Sequence, residues 1–385
     1  MNVLESRAIG ALAGAAVGDA LGGATEGWSV EQIRARYGGP VTGIVEPFRP
    51  DWQDFKPISP YHKGDGHVTD DTLMTNLLVR VYETKRDHLD AYDIDELLVP
   101  LMIGEKVWIP ELEREAAPLI RVFLAEKWIV TRLHYAHVDP REAGVGNAVN
   151  CGAAMYAAPT GVANAGNPRA AYAEAIDWAG AHQSSFGREA AGVFAAAVAA
   201  ALSPGASVAS VVDAALAVAH DGTRAAIEAV CEQAQNVDDP LEAYDALRAA
   251  VRPFDLVADA YRERGMAAHR PSRLHSIEEL PVALGMLVAG RGDFRASVLG
   301  GVNYGRDADS IATMAGAISG ALYGVDAVPA QWRTDIGDAS RLDLEAGGRV
   351  MAQVAREIFA RDQERAAATT TAFTELAGQA EGAAR

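Results

Sequence analysis

The sequence predicts an all-α protein, a compact multi-helix bundle with a large core. Alanine dominates the chain, and apolar residues recur at helical spacing, for example at Leu73, Leu77 and Val81. Alternating runs of β-branched residues, which would indicate strands, are nearly absent. Small residues such as Gly14 and Gly316 interrupt the predicted helices. Glycine lowers helix propensity, so these positions predict helices whose backbones pack closely together.

Composition and charge exclude several classes of protein. At 385 residues and 49% hydrophobic content, the chain is long enough to bury a full core. The formal net charge is −18 and the acids are spread along the whole length, so no basic patch is available for nucleic acid. No apolar run approaches the ~20 residues that span a bilayer, so no membrane partner is expected. Two cysteines cannot build a disulfide framework, which favours the reducing cytoplasm.

Two stretches interrupt the helical pattern. Residues 38–67 are rich in proline and aromatic side chains, and residues 138–168 are rich in glycine and asparagine. Both are predicted to be long loops, which in compact domains usually carry function. Residues 362–385 are rich in Ala, Thr and Glu and predict a frayed or disordered tail. We therefore expect one helical domain over residues 1–361.

Two acidic runs are the sharpest local signals. They read Thr-Asp-Asp-Thr at 69–72 and Asp-Ala-Asp-Ser at 307–310, and each stands where a loop turns into a predicted helix. Helix capping explains part of each run, because Asp, Thr and Ser are favoured N-caps and acids suit the positive end of a helix. Capping needs one such side chain, however, and each run holds more. Carboxylate and hydroxyl oxygens without His or Cys are the ligands of hard divalent cations, so we interpret the runs as halves of one metal site.

A third element, Gly-Asp-Ala-Leu-Gly at 18–22 with Glu26 downstream, completes a motif set that resembles the ADP-ribosylglycohydrolase family. That family pattern is a Gly-Asp-x-x-Gly start, a Thr-Asp-Asp-Thr run and a late Gly-x-Asp-x-Asp-Ser/Thr run, which this chain carries at 305–310. The resemblance spans most of the chain. It implies a compact orthogonal helical bundle that cleaves the C1′ bond of an ADP-ribosyl group on a protein or small-molecule acceptor.

The resemblance also implies a set of metal and catalytic residues. Two divalent cations, Mg²⁺ or Mn²⁺, would be held by Thr69, Asp70, Asp71, Asp307, Asp309 and Ser310. The catalytic carboxylates would be Asp307, Asp309 and Glu26, of which Glu26 matches an acidic residue on a mobile flap. The sequence does not decide which of the three takes a proton from the attacking water.

A Gly-rich segment between the acidic runs corresponds to the part of the family that contacts the distal ribose and the phosphates. The candidate substrate-binding residues are Gly146, Asn147, Asn150, Gly152, Met155, Tyr156 and, further along, His182. Backbone amides at a Gly-rich turn suit phosphate. Two positions depart from the family pattern: Tyr156 stands where many members carry arginine, and Cys151 separates Asn150 from Gly152. Arginine matches phosphate geometry better than tyrosine, so the first departure weakens the case for a diphosphate.

Two other functions stay open at this stage. The protein could hydrolyse free small-molecule ribosides or nucleotide-like metabolites, or it could be a non-catalytic binding protein on the same fold. The complete set of metal-ligand residues disfavours the second of these. For an ADP-ribosyl substrate, Tyr156, Trp52 and Phe55 are the aromatic candidates for stacking on adenine.

Overall fold

The computed structural model describes residues 1–51, 63–255 and 277–378, and within them it is helical except for one short hairpin. The helices are α1 Val3–Gly22, α2 Val30–Tyr37, α3 Asp70–Lys85, α4 Ala91–Asp93, α5 Val99–Gly104, α6 Pro118–Arg121, α7 Leu124–Val130, α8 Ala158–Ala163, α9 Pro168–Ala179, α10 Ser185–Ala201, α11 Val208–Val218, α12 Asp221–Ala234, α13 Tyr244–Val251, α14 Glu279–Ala289, α15 Phe294–Tyr304, α16 Ala308–Tyr323, α17 Ala330–Ser340 and α18 Ala346–Gly378. The hairpin pairs β1 Val107–Ile109 antiparallel with β2 Arg114–Ala116. The predicted all-α fold is confirmed.

Helices α1 and α16 form the centre of the bundle and pack along each other in opposite directions. Gly14 meets Gly316, and Gly18 meets Ala312, so closely that a Cβ on either α1 glycine would overlap the opposing carbonyl group. Both helices are buried over most of their length. The predicted close packing at small residues is therefore confirmed. Because the two helices pack closely in opposite directions, the end of α1 lies beside the start of α16.

The two predicted loops differ from the expectation. Residues 138–168 are not one loop, since they contain short 3-10 turns at Pro140–Glu142 and Cys151–Ala153 and the whole of α8. Every residue of α8 is buried, so packing gives this Ala- and Gly-containing segment a helical structure that its composition did not predict. Part of the other predicted loop, including Trp52 and Phe55, lies outside the described residues.

The last helix extends past the domain boundary expected at residue 361. Helix α18 does not stop near residue 362 but continues to Gly378, and its side chains are exposed from residue 363 onward. The alanine content of this segment favours a helix even without packing partners. None of the helices in the described ranges is long and apolar enough to cross a membrane.

Candidate metal centre

The end of α1 and the start of α3 are joined through Asp19. Its carboxylate accepts hydrogen bonds from the backbone N–H of Thr69, at 2.9 Å and 3.1 Å to its two oxygens, and from the N–H of Thr72 at 3.1 Å. The Thr72 hydroxyl donates to the same carboxylate. Asp19 thus satisfies backbone donors that the first turn of α3 leaves without helical partners. The Thr-Asp-Asp-Thr run is therefore fixed against the end of α1.

The second acidic run begins at a tight backbone turn. Gly305 and Arg306 both have positive φ, at 67° and 57°, and a Cβ at Gly305 would overlap the carbonyl of Trp28. Asp307 follows at the N-cap position of α16, yet its side chain makes no capping hydrogen bond. The Asp307 carboxylate is therefore not used to cap the helix, and the capping explanation of this residue does not hold.

Glu26 lies in a segment that is tied to this same turn. The N–H of Gly27 donates to the carbonyl of Arg306 at 2.6 Å, and the N–H of Arg306 donates to the carbonyl of Trp28 at 3.1 Å. The hydroxyl of Thr25 is buried and donates to the carbonyl of Val302 at 2.7 Å. Glu26 itself is only 4% exposed. In this structure Glu26 lies at the acidic centre beside Asp307 and Asp309, and the mobile flap that the resemblance implies stays a prediction.

Three groups of potential metal ligands meet at these helix ends. In each group the ligand atoms lie within 4.8 Å of one another, and all members are buried. The groups are Asp19–Asp71–Asp309, Glu26–Asp307–Asp309 and Cys151–Glu279–Asp307. The first two share Asp309, and the last two share Asp307. The geometry therefore brings together buried acidic groups that could hold metal, and neighbouring groups share a carboxylate.

The electrostatics of the centre favour a cation. Burial raises the pKa of Asp71 well above its usual value, and the carboxylates of Asp309 and Asp19 raise it further. Oδ1 of Asp71 is buried and has no hydrogen-bond partner in the described part of the chain. Burial also raises the pKa of Glu279, with a further contribution from Asp307. Divalent cations would offset this mutual repulsion, so these residues fit the metals that the family resemblance implies.

The other predicted metal ligands divide into two kinds. The hydroxyl of Thr69 lies 3.5 Å from Oδ2 of Asp309, and Ser310 lies beside Asp309 at the start of α16. Asp70 points elsewhere, because its Oδ1 accepts from Arg121 at 2.9 Å and its Oδ2 accepts from the N–H of Phe123 at 3.2 Å. Successive helical residues point about 100° apart, so the side chains of Asp70 and Asp71 leave α3 in different directions. Asp70 is thus paired with Arg121 and lies outside the three ligand groups, and the metal-ligand role that the resemblance implies for it stays a prediction.

Polar side chains of the Gly-rich segment mainly hold the segment in place. Oδ1 of Asn150 accepts from the N–H of Gly152 at 3.1 Å and from the side-chain amide of Gln183 at 2.8 Å. The amide of Asn147 donates to the carbonyl of His182 at 2.8 Å. A Cβ at Gly152 would overlap the carboxylate of Glu126. Gly146 is exposed and has φ 89°, a conformation that favours glycine.

Met155, Tyr156 and His182 are buried behind this segment. The Tyr156 hydroxyl and Nδ1 of His182 are hydrogen-bonded at 3.0 Å, and the Tyr156 ring lies 5.3 Å from that of Trp178. Tyr156 and His182 are both 0% exposed. The side chains of these three residues thus lie in the helical core, and the substrate contacts that the resemblance implies for them stay predictions.

Sequence reasoning assigned no role at or beside the centre to four residues, of which Asp19 was noted only as part of the Gly-Asp-x-x-Gly motif. Arg121 and Glu279 lie in helices without a motif, and Cys151 was noted only as a departure from the family pattern. The one available signal was the pair Glu278 and Glu279 in front of a strongly apolar helix. Acids at the first turn of a helix are common for reasons of charge alone, so that signal did not stand out.

An all-helical bundle with a buried acidic centre at three helix ends defines a class of protein that can hold metal ions. The chain belongs to the ADP-ribosylglycohydrolase family, whose model matches residues 1–368. Membership indicates a glycosyl hydrolase of the ADP-ribosylglycohydrolase type and confirms the resemblance seen in the motifs.

Two individual relatives extend the comparison. An uncharacterised protein from Archaeoglobus fulgidus is 31% identical over 348 residues, which cover 88% of this chain and 94% of the relative. A solved structure described as an "ADP-ribosylglycohydrolase-related protein complex" is similar with a TM-score of 0.61 at 21% identity. The match covers 92% of this chain and 100% of that one. At this identity the second likeness supports the fold alone.

Proposed function

We propose that the protein is a dinuclear-metal-dependent hydrolase that cleaves the C1′ bond of an ADP-ribosyl group on a protein or small-molecule acceptor. The observation that carries the proposal is the position of Asp309, which belongs both to the group with Asp19 and Asp71 and to the group with Glu26 and Asp307. A carboxylate shared by two ligand groups is suited to hold two cations side by side. All five donors in these groups are oxygens, which fits Mg²⁺ or Mn²⁺.

The metals would give the site its affinity for ribose. Two bound cations would supply Lewis-acid polarisation of a water and affinity for adjacent hydroxyls, such as the 2′- and 3′-hydroxyls of a ribose. Asp71 and Asp309 would hold them, with Thr69 and Ser310 at the rim of the same groups. Asp19 keeps the first turn of α3 in place for this role.

The chain supplies the base for the hydrolytic step. Glu26, Asp307 and Asp309 lie in one group, so a water that contacts any of them is within reach of a carboxylate that can take its proton. The water oxygen bonds to C1′ as the bond to the acceptor atom breaks, and the carboxylate then returns its proton to the departing acceptor. The tight hydrogen bonding of the Glu26 segment keeps this carboxylate in position before substrate arrives.

A second candidate substrate class is favoured by one feature of the Gly-rich segment. The carboxylate of Glu126 lies directly against Gly152, is 1% exposed, and leaves Oε2 without a hydrogen-bond partner in the described part of the chain. A diphosphate placed against this segment would lie near the carboxylate of Glu126, and Tyr156 stands where many family members carry arginine. This arrangement favours free ribosides or other substrates that lack a diphosphate at this position.

A comparison of substrates tests the proposal. ADP-ribosyl-arginine, ADP-ribosyl-serine peptides, free ADP-ribose, ribose-5-phosphate and simple ribosides would be assayed for binding and turnover with Mg²⁺ and with Mn²⁺, beside the Asp309→Asn variant as the inactive control. We expect cleavage of the ADP-ribosyl compounds and none by the variant. Cleavage of simple ribosides without affinity for ADP-ribose would support the second candidate, and full-rate turnover of a 2′-deoxyribosyl analogue would exclude recognition through the diol.

Metal content is a separate test that does not depend on finding the substrate. Elemental analysis after loading with Mg²⁺ or Mn²⁺ should give two cations per chain, and Asp309→Asn should hold fewer. The absence of any affinity at millimolar Mg²⁺ and Mn²⁺ would contradict the proposed centre.

A further inference from the structure

Cys151 lies beside the acidic centre. Its sulfur is 3.2 Å from Oδ2 of Asp307 and 3.4 Å from the hydroxyl oxygen of Ser310. It also forms a ligand group with Asp307 and Glu279, whose atoms come from three separate elements. Cys151 begins a 3-10 turn, Asp307 precedes α16, and Glu279 begins α14. Such convergence in a buried region requires positioning by the fold, because none of these residues is near another in sequence.

The Cys151 turn is held rigidly. Asn150 caps it by accepting from the N–H of Gly152, and Asn150 is itself fixed by the side-chain amide of Gln183. Gly152 leaves no space for a Cβ, because Glu126 fills it. The thiol is therefore presented to Asp307 by a turn that has little freedom to move away.

The surroundings of the thiol favour a cation. The carboxylates of Glu279 and Asp307 lie in one buried ligand group with the sulfur, all within 4.8 Å of one another. Asp71, in the neighbouring group with Asp19 and Asp309, has a buried Oδ1 without a hydrogen-bond partner in the described ranges. Negative groups that disfavour a free thiolate would together stabilise a divalent cation.

We propose that Cys151, Glu279 and Asp307 form a third, sulfur-containing cation position that selects thiophilic metals such as Zn²⁺, Co²⁺ or Cd²⁺ over Mg²⁺. This inference rests on the proposed metal centre, because Asp307 is shared with it. Thiolate is a poor ligand for Mg²⁺ and a good one for softer cations. The position therefore adds to the two oxygen-only positions and differs from them in metal preference.

Binding at this position converts the thiol to a metal-bound thiolate. The S–H bond breaks, the sulfur lone pair forms the bond to the cation, and the proton passes to the buffer. A bound cation deprotonates a coordinating thiol even where a free thiolate is disfavoured. Metal binding to the wild-type protein should therefore release the proton of the Cys151 thiol. Metal binding to the Cys151→Ser variant should not release this proton.

A cobalt titration tests the assignment. Protein freed of metal with a chelator would be titrated anaerobically with Co²⁺ while the absorption spectrum and the bound equivalents are recorded. We expect three Co²⁺ per chain and a sulfur-to-cobalt charge-transfer band in the near ultraviolet. Cys151→Ser should bind one equivalent fewer and lose the band. Its affinity for Cd²⁺ should fall by ~10-fold or more, whereas its affinity for Mg²⁺ should be unchanged.

Cys231 gives a matched control. It is the other cysteine of the chain and is also buried, but it lies in α12 and belongs to none of the ligand groups in the described residues. Cys231→Ser should keep both the band and the three equivalents. Thermal melts without metal would show that both serine variants fold.

The outcomes separate this inference from the proposed function. If Co²⁺ binds with no charge-transfer band, or with equal stoichiometry in wild type and Cys151→Ser, the sulfur position is wrong and the oxygen-only centre stands. If no Co²⁺ binds at all, both the sulfur position and the metal centre are wrong.

Discussion

Arg121 and Asp70 form a buried ion pair beside the metal centre, with Nη1 of Arg121 2.9 Å from Oδ1 of Asp70. Nε of the same guanidinium lies 3.0 Å from the carboxylate of Glu111. Arg121 is 1% exposed, so its charge is compensated by these two acids and not by water. Of the two aspartates in the Thr-Asp-Asp-Thr run, Asp70 is therefore ion-paired with Arg121, and Asp71 lies in a ligand group.

Removing this guanidinium should strongly destabilise the protein. Arg121→Met leaves Asp70 and Glu111 buried without their counter-ion, and breaking such a pair costs about 3–5 kcal/mol. Urea denaturation of the metal-free protein would measure the loss. The exposed pair Arg224–Glu228, at 2.9 Å, is the matched control, because Arg224→Met should cost at most about 1 kcal/mol. Equal losses in the two variants would contradict the assigned role of Arg121.

Neutralising the acids of the centre should abolish turnover without weakening the metal-free fold. In Asp71→Asn and Asp309→Asn the repulsion that raises the pKa of Asp71 is reduced, so melting in EDTA should be unchanged or higher. Thr69→Ala is the contrasting variant, because Thr69 caps α3 by accepting from the N–H of Asp71 at 3.4 Å. Losing a cap costs about 1 kcal/mol, so this variant should melt lower in EDTA. A lower melting temperature in both Asn variants would instead support a capping role.

Much of the fold and of the centre could be predicted from local patterns in the sequence. Helical periodicity and small residues predicted the α-bundle and its close packing. The two acidic runs pointed to the segments that contain the potential metal ligands. Capping also proved real for Thr69, although Asp307 at the equivalent place in α16 makes no capping bond. Both explanations of the runs thus apply, to different residues.

The parts that could not be predicted depend on contacts between distant segments. Arg121 meets Asp70 across 51 positions, and Cys151 meets Asp307 across 156. No local pattern marks such partners. The direction in which Asp70 points, and the burial of Tyr156, follow from the packing of several helices and not from the motif. Sequence alone therefore pointed to the acids that meet in the ligand groups, but it did not show that Asp70 pairs with Arg121 or that Tyr156 pairs with His182.

Glu26 should behave as a fixed metal ligand. It is buried, and its segment is hydrogen-bonded to the turn that precedes Asp307. Glu26→Ala should therefore lose one of the two Mn²⁺ equivalents, as measured by elemental analysis, in addition to losing rate. Glu31→Ala, an exposed acid in the first turn of α2, is the control and should keep both. Retention of both metals with a slow rate would support the mobile flap that the sequence predicted.

The stability of the protein should depend on pH through His88. The hydrogen bond from His88 to Glu174 raises the pKa of this histidine from 6.5 to about 9, with a further contribution from Asp362 in α18. Because the folded-state pKa is the higher one, the stabilisation is fully present below pH 6.5 and is lost as the pH rises through about 9. The melting temperature of wild type should exceed that of His88→Gln at pH 6, and the difference should narrow by about pH 10. A difference that grows with pH would contradict this assignment.

Tyr156 should matter for stability and not for substrate contact. Its hydroxyl is hydrogen-bonded to Nδ1 of His182 at 3.0 Å inside the core. Tyr156→Phe leaves that nitrogen buried without its partner, which costs about 1–3 kcal/mol, while the loop that carries Asn150 stays in place. We expect a lower melting temperature with KM nearly unchanged. Tyr172→Phe, which removes a hydroxyl bonded to Glu189 at the edge of α9, is the control for losing a tyrosine hydroxyl outside the centre. An increase in KM for Tyr156→Phe without a change in melting would show that the hydroxyl reaches the substrate, and would restore the role that the sequence first suggested.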